Sequence, residues 1–269
     1  MCFFCYNKSM RIFAHRGASA SAPANSLAAF AKAKEMGCTC YELDVHLTKD
    51  GHLVLHHDYN LSSDTTCMRD IKDVTLEELN QCRLVHSFDP SINERPPLLH
   101  EVLPIVVEEL ELLNIEIKND DNIYPNIEQV LWKQLNLFGP EALTKIFFSS
   151  FDYPTLLRLR KIAPAAQISL LTRLFEPQKA RNLDACSVHM SKTRITKEIV
   201  DICHSEGREV FVYTVNDQYT MRSLERIGVD GIFTDCPNLF LTAKESLPKE
   251  LVEKYTPLKL SKKTRFPRI

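Results

Sequence analysis

Short runs of β-branched and aromatic residues recur along the chain, and most are separated by stretches with the apolar spacing of a helix. The nine runs are Arg11–Ala14, Tyr41–Val45, Leu53–His56, Leu113–Lys118, Lys145–Ser149, Gln167–Leu171, Cys186–Met190, Glu209–Thr214 and Gly231–Thr234. Helical spacing covers Ser26–Met36, Asn126–Leu137, Tyr153–Ile162, Lys197–Ser205 and Met221–Ile227. Strands that alternate with helices predict a parallel sheet covered by helices.

The second and third runs cannot both belong to a parallel sheet. About seven residues, centred on Thr48–Gly51, connect them, whereas a parallel crossover needs roughly a dozen or more. We therefore expect an antiparallel hairpin, which leaves eight runs for parallel strands. Eight strands favour a closed (β/α)8 TIM barrel over an open doubly wound sheet.

The segment after the hairpin, residues 58–98, contains no clean strand–helix unit. Prolines and a short helical stretch at Thr75–Gln81 occupy it. We interpret it as a small insertion over one mouth of the barrel, followed by a helix at Leu99–Leu112. The predicted single domain spans 10–245, and 246–269 form a C-terminal extension whose basic, weakly periodic end predicts a loose tail.

Composition excludes several classes of function. The chain of 269 residues carries 33 Lys and Arg against 35 Asp and Glu, so no global basic field recruits nucleic acid. Only 7 glycines occur, and the glycine-rich fingerprints of dinucleotide and P-loop sites are absent from the sequence. No run reaches the roughly 18 apolar residues that an integral membrane segment needs.

The nine cysteines are an odd number for a disulfide framework. A chain of this length can bury a core without covalent cross-links. The pairs Cys2/Cys5 and Cys38/Cys40 lack the second ligand pair of a zinc site, so we interpret the cysteines as structural or incidental thiols. The first eleven residues also lack the basic segment of a secretory signal. We therefore expect a reduced, cytoplasmic compartment.

Charged residues gather at the carboxyl ends of the predicted strands, which form the active face of a barrel. Acidic or basic residues two apart on a strand point to the same side, and two such pairs occur on neighbouring barrel strands. The residues expected at this opening are His15, Arg16, Glu42, Asp44, His57, Glu116 and Lys118.

Three carboxylates at one opening repel each other unless a cation compensates for their charge. An all-oxygen set selects a hard ion, Mg²⁺ or Ca²⁺, over zinc. Arg16 and Lys118 supply positive charge for an anionic group, and arginine can hold phosphate through two hydrogen bonds. Two histidines are suited to act as general base and general acid. The set indicates metal-assisted cleavage of a phosphate ester, although each residue alone is as typical of packing or of a surface ion pair.

The stretch from Ala14 to Asp58 resembles the signature of glycerophosphodiester phosphodiesterases. It contains, in order, His-Arg-Gly, a helix start similar to Pro-Glu-Asn-Thr, Glu-x-Asp, Thr-x-Asp-Gly and a terminal His-Asp. The similarity continues through NIEIK at 114–118, FSSF at 148–151, VYTVND at 212–217 and GVDGIFTDCP at 228–237, and it covers about residues 10–245.

This resemblance implies a (β/α)8 barrel that hydrolyses glycerophosphodiesters to sn-glycerol 3-phosphate and an alcohol with one divalent cation. The corresponding residues are Glu42, Asp44 and Glu116 for the cation, His15 and His57 for acid–base catalysis, Arg16 and Lys118 for the phosphate, and Phe151 and Tyr213 for a possible pocket wall. His57 is preferred over His56 because the family places the catalytic imidazole directly before the aspartate.

Three positions depart from the family pattern. Ala24 replaces an acidic residue at the helix start, Asp64 stands where an arginine is common, and Tyr213 stands where a tryptophan usually walls the pocket. None of them removes a metal ligand or a catalytic histidine, so they affect the alcohol group of the substrate and leave the reaction class unchanged.

Several alternatives stay open from the sequence. Cleavage of lysophospholipids is less favoured because the insertion is polar at Ser87–Pro97. Enolate chemistry at a metal is disfavoured because Arg16, Lys118 and two histidines suit a phosphate better. A non-catalytic barrel is disfavoured because no ligand or histidine is lost. The attacking group is either water or the glycerol 2-hydroxyl, which would form a cyclic phosphate. A small-molecule substrate is the one partner expected.

Overall fold

The computed structural model describes residues 10–241, whose strands form one sheet. The strands are β1 (Arg11–His15), β2 (Cys40–Leu47), β3 (Leu53–Leu55), β4 (Leu112–Ile117), β5 (Ile146–Ser149), β6 (Gln167–Leu171), β7 (Ser187–Ser191), β8 (Glu209–Tyr213) and β9 (Gly231–Thr234). Their order in the sheet is β1-β9-β8-β7-β6-β5-β4-β2-β3.

The sheet closes because β1 pairs in parallel with strands on both sides. Ala14 lies opposite Tyr41 of β2, and Ile12 lies opposite Ile232 of β9. β3 is antiparallel to β2 and stands outside the ring of eight parallel strands. The predicted TIM barrel and its hairpin are confirmed.

Helices connect successive barrel strands. They are α1 (Leu27–Glu35), α2 (Leu76–Leu79), α3 (Leu99–Val106), α4 (Ile127–Leu135), α5 (Gly139–Leu143), α6 (Tyr153–Ile162), α7 (Pro177–Asn182), α8 (Lys197–Ser205), α9 (Gln218–Arg226) and α10 (Asn238–Leu241). The helix predicted at Leu99–Leu112 ends early, at Val106, because the chain turns over the next residues to enter β4. Within residues 10–241 no helix combines the length and apolar character needed to cross a membrane.

Aromatic rings fill the barrel interior beneath the polar mouth. Phe13 packs with ring centroids 4.9 Å from Phe233, 5.1 Å from Phe211 and 5.8 Å from Phe147. His189 of β7 completes this layer, 5.1 Å from Phe233. Side chains alternate along a strand, so His15 follows Phe13 on the same face, one layer nearer the mouth.

The segment between the hairpin and α3 has a small apolar core of its own. Its buried residues are Val54, Leu61, Ile71, Val74, Leu79, Cys82 and Leu98. At its far end, the Glu94 carboxylate accepts hydrogen bonds from the N–H groups of Leu27 (2.9 Å) and Ala28 (3.2 Å). The insertion is thereby bonded to the first turn of α1.

A disulfide joins Cys67 and Cys82 within this segment, with the two Cα atoms 5.5 Å apart. The prediction of thiols throughout is wrong for these two residues. Spacing alone does not reveal the pair, since tertiary contacts such as the hydrogen bond from Thr66 N–H to the Arg83 carbonyl (2.8 Å) bring the two segments together. Cys2, Cys5 and the extension at 246–269 lie outside the described residues, and the domain limits stay a prediction.

Candidate active site

Three buried carboxylates meet at the mouth of the barrel. Glu42 and Asp44 point to the same side of β2, and Asp44 lies opposite Glu116 on the neighbouring β4. One carboxylate oxygen from each residue lies within 4.8 Å of the other two. The structure therefore brings together the three predicted metal ligands.

Arg16 and Lys118 contact this cluster from two sides. Arg16 Nε lies 3.1 Å from Asp44 Oδ2, and Lys118 Nζ lies 3.0 Å from Asp44 Oδ1 and 2.5 Å from Glu116 Oε1. Two cations against three ionised carboxylates leave one negative charge without a partner. Burial of that charge is unfavourable unless another cation is bound.

The pKa shifts indicate which of the three carboxylates is least stabilised in its charged form. Burial raises the pKa of Glu42 well above its usual range, and the neighbouring Asp44 charge raises it further. Burial also raises the pKa of Glu116, against the opposing effect of Lys118. Burial would raise the pKa of Asp44 as well, but Lys118 and Arg16 together outweigh it and lower that pKa. Glu42 is thus the carboxylate that most needs a further positive charge.

The donor set fits a divalent cation. Asp44 Oδ1 is buried and accepts no hydrogen bond of good geometry from residues 10–241, although Lys118 Nζ is close enough for an ion pair. All three groups offer oxygen, the donor that Mg²⁺ and Ca²⁺ prefer. An oxygen without a directed bond in a cluster with excess negative charge is the environment that such an ion stabilises.

The loop after β1 places Arg16 through two residues with left-handed backbone. Arg16 has a φ of 58° and donates its backbone N–H to Glu42 Oε2 at 3.0 Å. Gly17 has a φ of +80°, and a Cβ there would lie 2.6 Å from the backbone carbon of Ala29. Only glycine fits this close approach to α1, which explains the Gly of the His-Arg-Gly motif.

Asn25, just before α1, holds Asp44 through both of its side-chain polar atoms. Its Nδ2 donates to Asp44 Oδ2 at 2.9 Å, and its Oδ1 accepts from the Asp44 backbone N–H at 3.3 Å. Asn25 is the asparagine of the segment that resembles Pro-Glu-Asn-Thr, and the sequence alone assigns it no role. The structure makes it the orienting partner of a candidate metal ligand.

His15 stands beside the carboxylate cluster in a fixed orientation. Its Nε2 lies 3.9 Å from Glu42 Oε2, and its Nδ1 lies 2.6 Å from Asp235 Oδ1. Asp235 also accepts from Ser19 Oγ (3.0 Å) and Asn216 Nδ2 (2.6 Å). Burial opposes ionisation, but the hydrogen bond from His15 and the other donors lower the pKa of Asp235 to about 2. Sequence reasoning missed Asp235, although it follows the last barrel strand inside the GVDGIFTDCP match.

The adjacent histidines after β3 point to different environments. The His57 side chain is 43% exposed, with Nδ1 2.7 Å from Asp58 Oδ1. Burial of part of the ring, together with Lys118 and Arg16, lowers the pKa of His57 against the opposing effect of Asp44. His56 is buried, with Nε2 2.6 Å from Asp64 Oδ1. His57 is thus the histidine of this pair that is open to solvent.

A buried histidine beneath the hairpin fixes the backbone at His57. His46 Nε2 donates to the His57 carbonyl at 3.3 Å, while its Nδ1 accepts from the Tyr124 hydroxyl at 3.0 Å. Burial lowers the pKa of His46 to about 3, so this imidazole is neutral. Neither His46 nor Tyr124 was singled out from the sequence.

Phe151 and Tyr213, the residues predicted for a possible pocket wall, lie next to each other at the mouth. Their rings are perpendicular, with centroids 6.2 Å apart. Arg173, which follows β6, places its guanidinium carbon 5.2 Å from the centroid of the Phe151 ring. Arg173 was not singled out from the sequence.

Comparison with known proteins agrees with this geometry. The model of the glycerophosphoryl diester phosphodiesterase family matches residues 15–239. A glycerophosphodiester phosphodiesterase of Caldanaerobacter subterraneus subsp. tengcongensis is 38% identical over 234 residues, which are 86% of this chain and 96% of that protein. One from Bacillus altitudinis is 34% identical over 88% of this chain and 99% of that protein.

Solved structures give the same result. A phosphodiesterase of Oleispira antarctica, in complex with the product sn-glycerol-3-phosphate, superposes with a TM-score of 0.75 at 25% identity, covering 88% of this chain and 97% of that one. The fold is also shared with a protein of Silicibacter pomeroyi at a TM-score of 0.79 and 23% identity, over 89% of this chain and 95% of that one. The resemblance found in the sequence is confirmed, and the chain belongs to the glycerophosphoryl diester phosphodiesterase family of phosphoric diester hydrolases.

Proposed function

We propose that this protein hydrolyses glycerophosphodiesters to sn-glycerol 3-phosphate and an alcohol, with one divalent cation, Mg²⁺ or Ca²⁺, held by Glu42, Asp44 and Glu116. The carboxylate cluster carries the proposal, because its oxygens converge within 4.8 Å beside Arg16 and Lys118. The relatives named for this activity and the neighbour that binds sn-glycerol-3-phosphate support the substrate class.

The chain's own residues divide the work of binding the phosphodiester. A cation held by the three carboxylates supplies Lewis-acid stabilisation to the phosphate oxygens. Arg16 and Lys118 each add a positive charge at the same opening, and the Arg16 guanidinium can hold two phosphate oxygens at once. These groups are fixed before substrate arrives, by Asn25 on Asp44 and by Glu42 on the Arg16 backbone. Fixed charges of this kind stabilise a transition state without further reorganisation.

His15 and His57 are the proposed acid–base pair. An ionised Asp235 accepts a hydrogen bond from His15 Nδ1–H, so in the neutral ring Nε2 is the atom that can accept a proton on the side of the cluster. This is the form that removes a proton from an attacking hydroxyl. His57, exposed at the mouth and next to Asp58, is the proposed general acid: in its protonated form it would give a proton to the departing alkoxide oxygen. Each group is expected to contribute roughly 10²–10⁴-fold.

The central experiment measures sn-glycerol 3-phosphate released from glycerophosphoglycerol, glycerophosphocholine and glycerophosphoethanolamine. We expect activity to disappear after exhaustive chelation and to return with Mg²⁺ or Ca²⁺. Glu116→Gln should raise the cation concentration for half-activation by at least about 10-fold. Loss of a residue that only supports a metal ligand typically weakens metal affinity by roughly 10- to 100-fold, and loss of the ligand itself should weaken it at least as much. Glu111→Gln, just before the opposite end of β4, is the matched control.

Three results would count against the proposal. Release of glycerol and phosphocholine from glycerophosphocholine, instead of sn-glycerol 3-phosphate and choline, would refute the position of cleavage. Full turnover after chelation would refute the cation site. Equal cation dependence in Glu116→Gln and Glu111→Gln would refute the ligand assignment. Trapping a cyclic glycerophosphate in a single turnover would show attack by the glycerol 2-hydroxyl, and its absence in the presence of product would favour water.

Lysophospholipids are the second candidate substrates. Leu174 (63% exposed) and Phe151 (37% exposed) follow β6 and β5 at the mouth, where an acyl chain would find apolar contacts. A lysophospholipase D of Mus musculus is 27% identical over 84% of this chain and 83% of that protein. Lysophosphatidylcholine therefore belongs in the substrate panel.

The cytoplasmic location stays a prediction. Its test is a thiol titration of protein taken directly from cells, because a reducing cytoplasm would keep Cys67 and Cys82 as free thiols instead of the disulfide.

A further inference from the structure

An arginine beside the aromatic wall adds a positive charge to the part of the mouth where an alcohol group would bind. We propose that Arg173 makes the site selective against positively charged alcohol groups, so that diesters of uncharged or anionic alcohols, such as glycerol or inositol, are hydrolysed in preference to those of choline or ethanolamine. This inference rests on the proposed hydrolysis of glycerophosphodiesters and concerns which of them are used.

Three strand ends build the cluster that contains Arg173. Phe151 follows β5, Arg173 follows β6, and Tyr213 ends β8. The Tyr213 hydroxyl donates to the carbonyl of Thr172 at 3.3 Å, directly before Arg173. The wall and the arginine are therefore one connected unit on the active face of the barrel.

Tyr213 links this cluster to the phosphate-binding part of the mouth. Burial raises the pKa of Tyr213 to about 12, and the Glu116 charge raises it further, while Arg173 and Lys118 lower it. The charges of Glu116, Lys118 and Arg173 thus all lie close enough to Tyr213 to affect its pKa. A group esterified to a phosphate beside Lys118 can therefore extend toward the wall formed by Tyr213 and Phe151.

Without Arg173, this wall would suit a quaternary ammonium group. Cations bind well over the faces of aromatic rings, and the Phe151 side chain is 37% exposed. Here the guanidinium carbon of Arg173 lies 5.2 Å from the Phe151 ring centroid, so the cation site on that ring is already taken. A choline group would compete with a charge that belongs to the protein.

The charge of Arg173 is also uncompensated within the described part of the chain. No carboxylate of residues 10–241 forms an ion pair with it. Repulsion between two like unit charges about 6 Å apart weakens binding by roughly 3-fold at a dielectric constant of about 80 and by roughly 100-fold at about 20. We therefore expect about 10-fold discrimination at low ionic strength.

The test compares kcat/KM for glycerophosphoglycerol and glycerophosphocholine, which share the same phosphate and glycerol. In the wild type the ratio of the two values should favour glycerophosphoglycerol by about 10-fold and should shrink as salt rises, because exposed charges are screened. Arg173→Met keeps an unbranched stem over Phe151 but removes the charge, and it should bring the ratio close to one. Arg173→Glu should invert it. Most of the change should appear in kcat/KM for the choline ester.

Arg226→Met is the matched control, because Arg226 ends α9, whose carboxyl end leads to the opposite face of the barrel. Its ratio should equal that of the wild type. An unchanged ratio in both Arg173 variants would overturn the inference while hydrolysis of both diesters upheld the proposed function. Failure of wild-type protein to release sn-glycerol 3-phosphate from either diester would instead overturn the proposed function, and the inference with it. A wild-type preference for the choline ester would refute the inference directly.

Discussion

Asp235→Asn tests whether catalysis depends on the protonation state of the His15 ring. In the wild type, Asp235 Oδ1 lies 2.6 Å from His15 Nδ1, and its two further donors, Ser19 Oγ and Asn216 Nδ2, hold the carboxylate in place. Asparagine has nearly the same shape, so the fold should survive, with the amide oxygen accepting from Asn216 Nδ2 and with Ser19 Oγ still donating to the His15 carbonyl. Its amide group can donate to His15 Nδ1, and this would move the ring proton to Nε2.

The expected loss follows from that change of tautomer. A His15 that carries its proton on Nε2 cannot accept one there, so the contribution of a general base, roughly 10²–10⁴-fold in kcat, should be lost. KM should change little, because Asp235 does not contact the phosphate-binding residues. The double variant Asp235→Asn/His15→Ala should be no slower than His15→Ala alone, since both substitutions remove the same function.

The assay measures kcat and KM with saturating cation and follows the imidazole nitrogens of His15 by NMR. Asp217→Asn is the control, because Asp217 is an N-cap of α9 that accepts from the Thr220 N–H at 2.7 Å and does not contact His15. A kcat within about threefold of the wild type, or a His15 ring that still carries its proton on Nδ1, would refute the reasoning for this residue.

Three further predictions follow from burial and charge. His57→Ala should lower kcat by about 10²–10⁴-fold with little change in stability. His56→Ala should lower the free energy of unfolding by about 1–3 kcal/mol, because the buried imidazole loses its hydrogen bonds to the Asp64 carboxylate and the Asp58 carbonyl. The reverse pattern in kinetics and urea denaturation would assign catalysis to His56. Asp44→Asn should destabilise the cation-free protein by roughly 3 kcal/mol, because Arg16 and Lys118 lose a buried partner. The control Asp201→Asn, at an exposed position, should change the free energy of unfolding by less than about 1 kcal/mol. Equal urea midpoints for the two variants would contradict this prediction. Burial lowers the pKa of His189 to about 3 from an ordinary 6.5. Between these pH values the unfolded chain binds a proton that the folded chain does not. The contribution of His189 to the free energy of unfolding should therefore fall by about 1.4 kcal/mol per pH unit as pH decreases. His189→Phe should reduce the slope by this amount and leave the similar contribution of His46, and an unchanged slope would show that His189 is not one of its sources.

The barrel was predictable because each strand run is locally consistent with its place in the sheet. Apolar runs of strand length, a hairpin too short for a crossover, and Glu-x-Asp and Glu-x-Lys pairs on neighbouring barrel strands all point to one architecture. The pairing of Asp44 with Glu116 then follows from placing β2 beside β4. The local sequence pattern therefore predicts both the positions of the strands and the carboxylate cluster at their ends.

Contacts between distant segments were not predictable in the same way. Asp235 reaches His15 across a separation of 220 residues, and Cys67 meets Cys82 through the fold of a segment with no regular pattern. His46 looks like an ordinary strand residue until Tyr124 and the His57 carbonyl are placed on either side of it. These roles depend on closure of the barrel, which no single stretch of sequence encodes.

The bond from Glu94 to α1 limits how this enzyme can be recombined with its relatives. Glu94 belongs to the insertion, yet it caps the helix that begins two residues after Asn25, the residue that orients Asp44. An exchange of the insertion for that of a relative, whether by evolution or by design, would remove this cap unless the incoming segment supplied a carboxylate at the same place. The insertion and the start of α1 should therefore be exchanged as one unit.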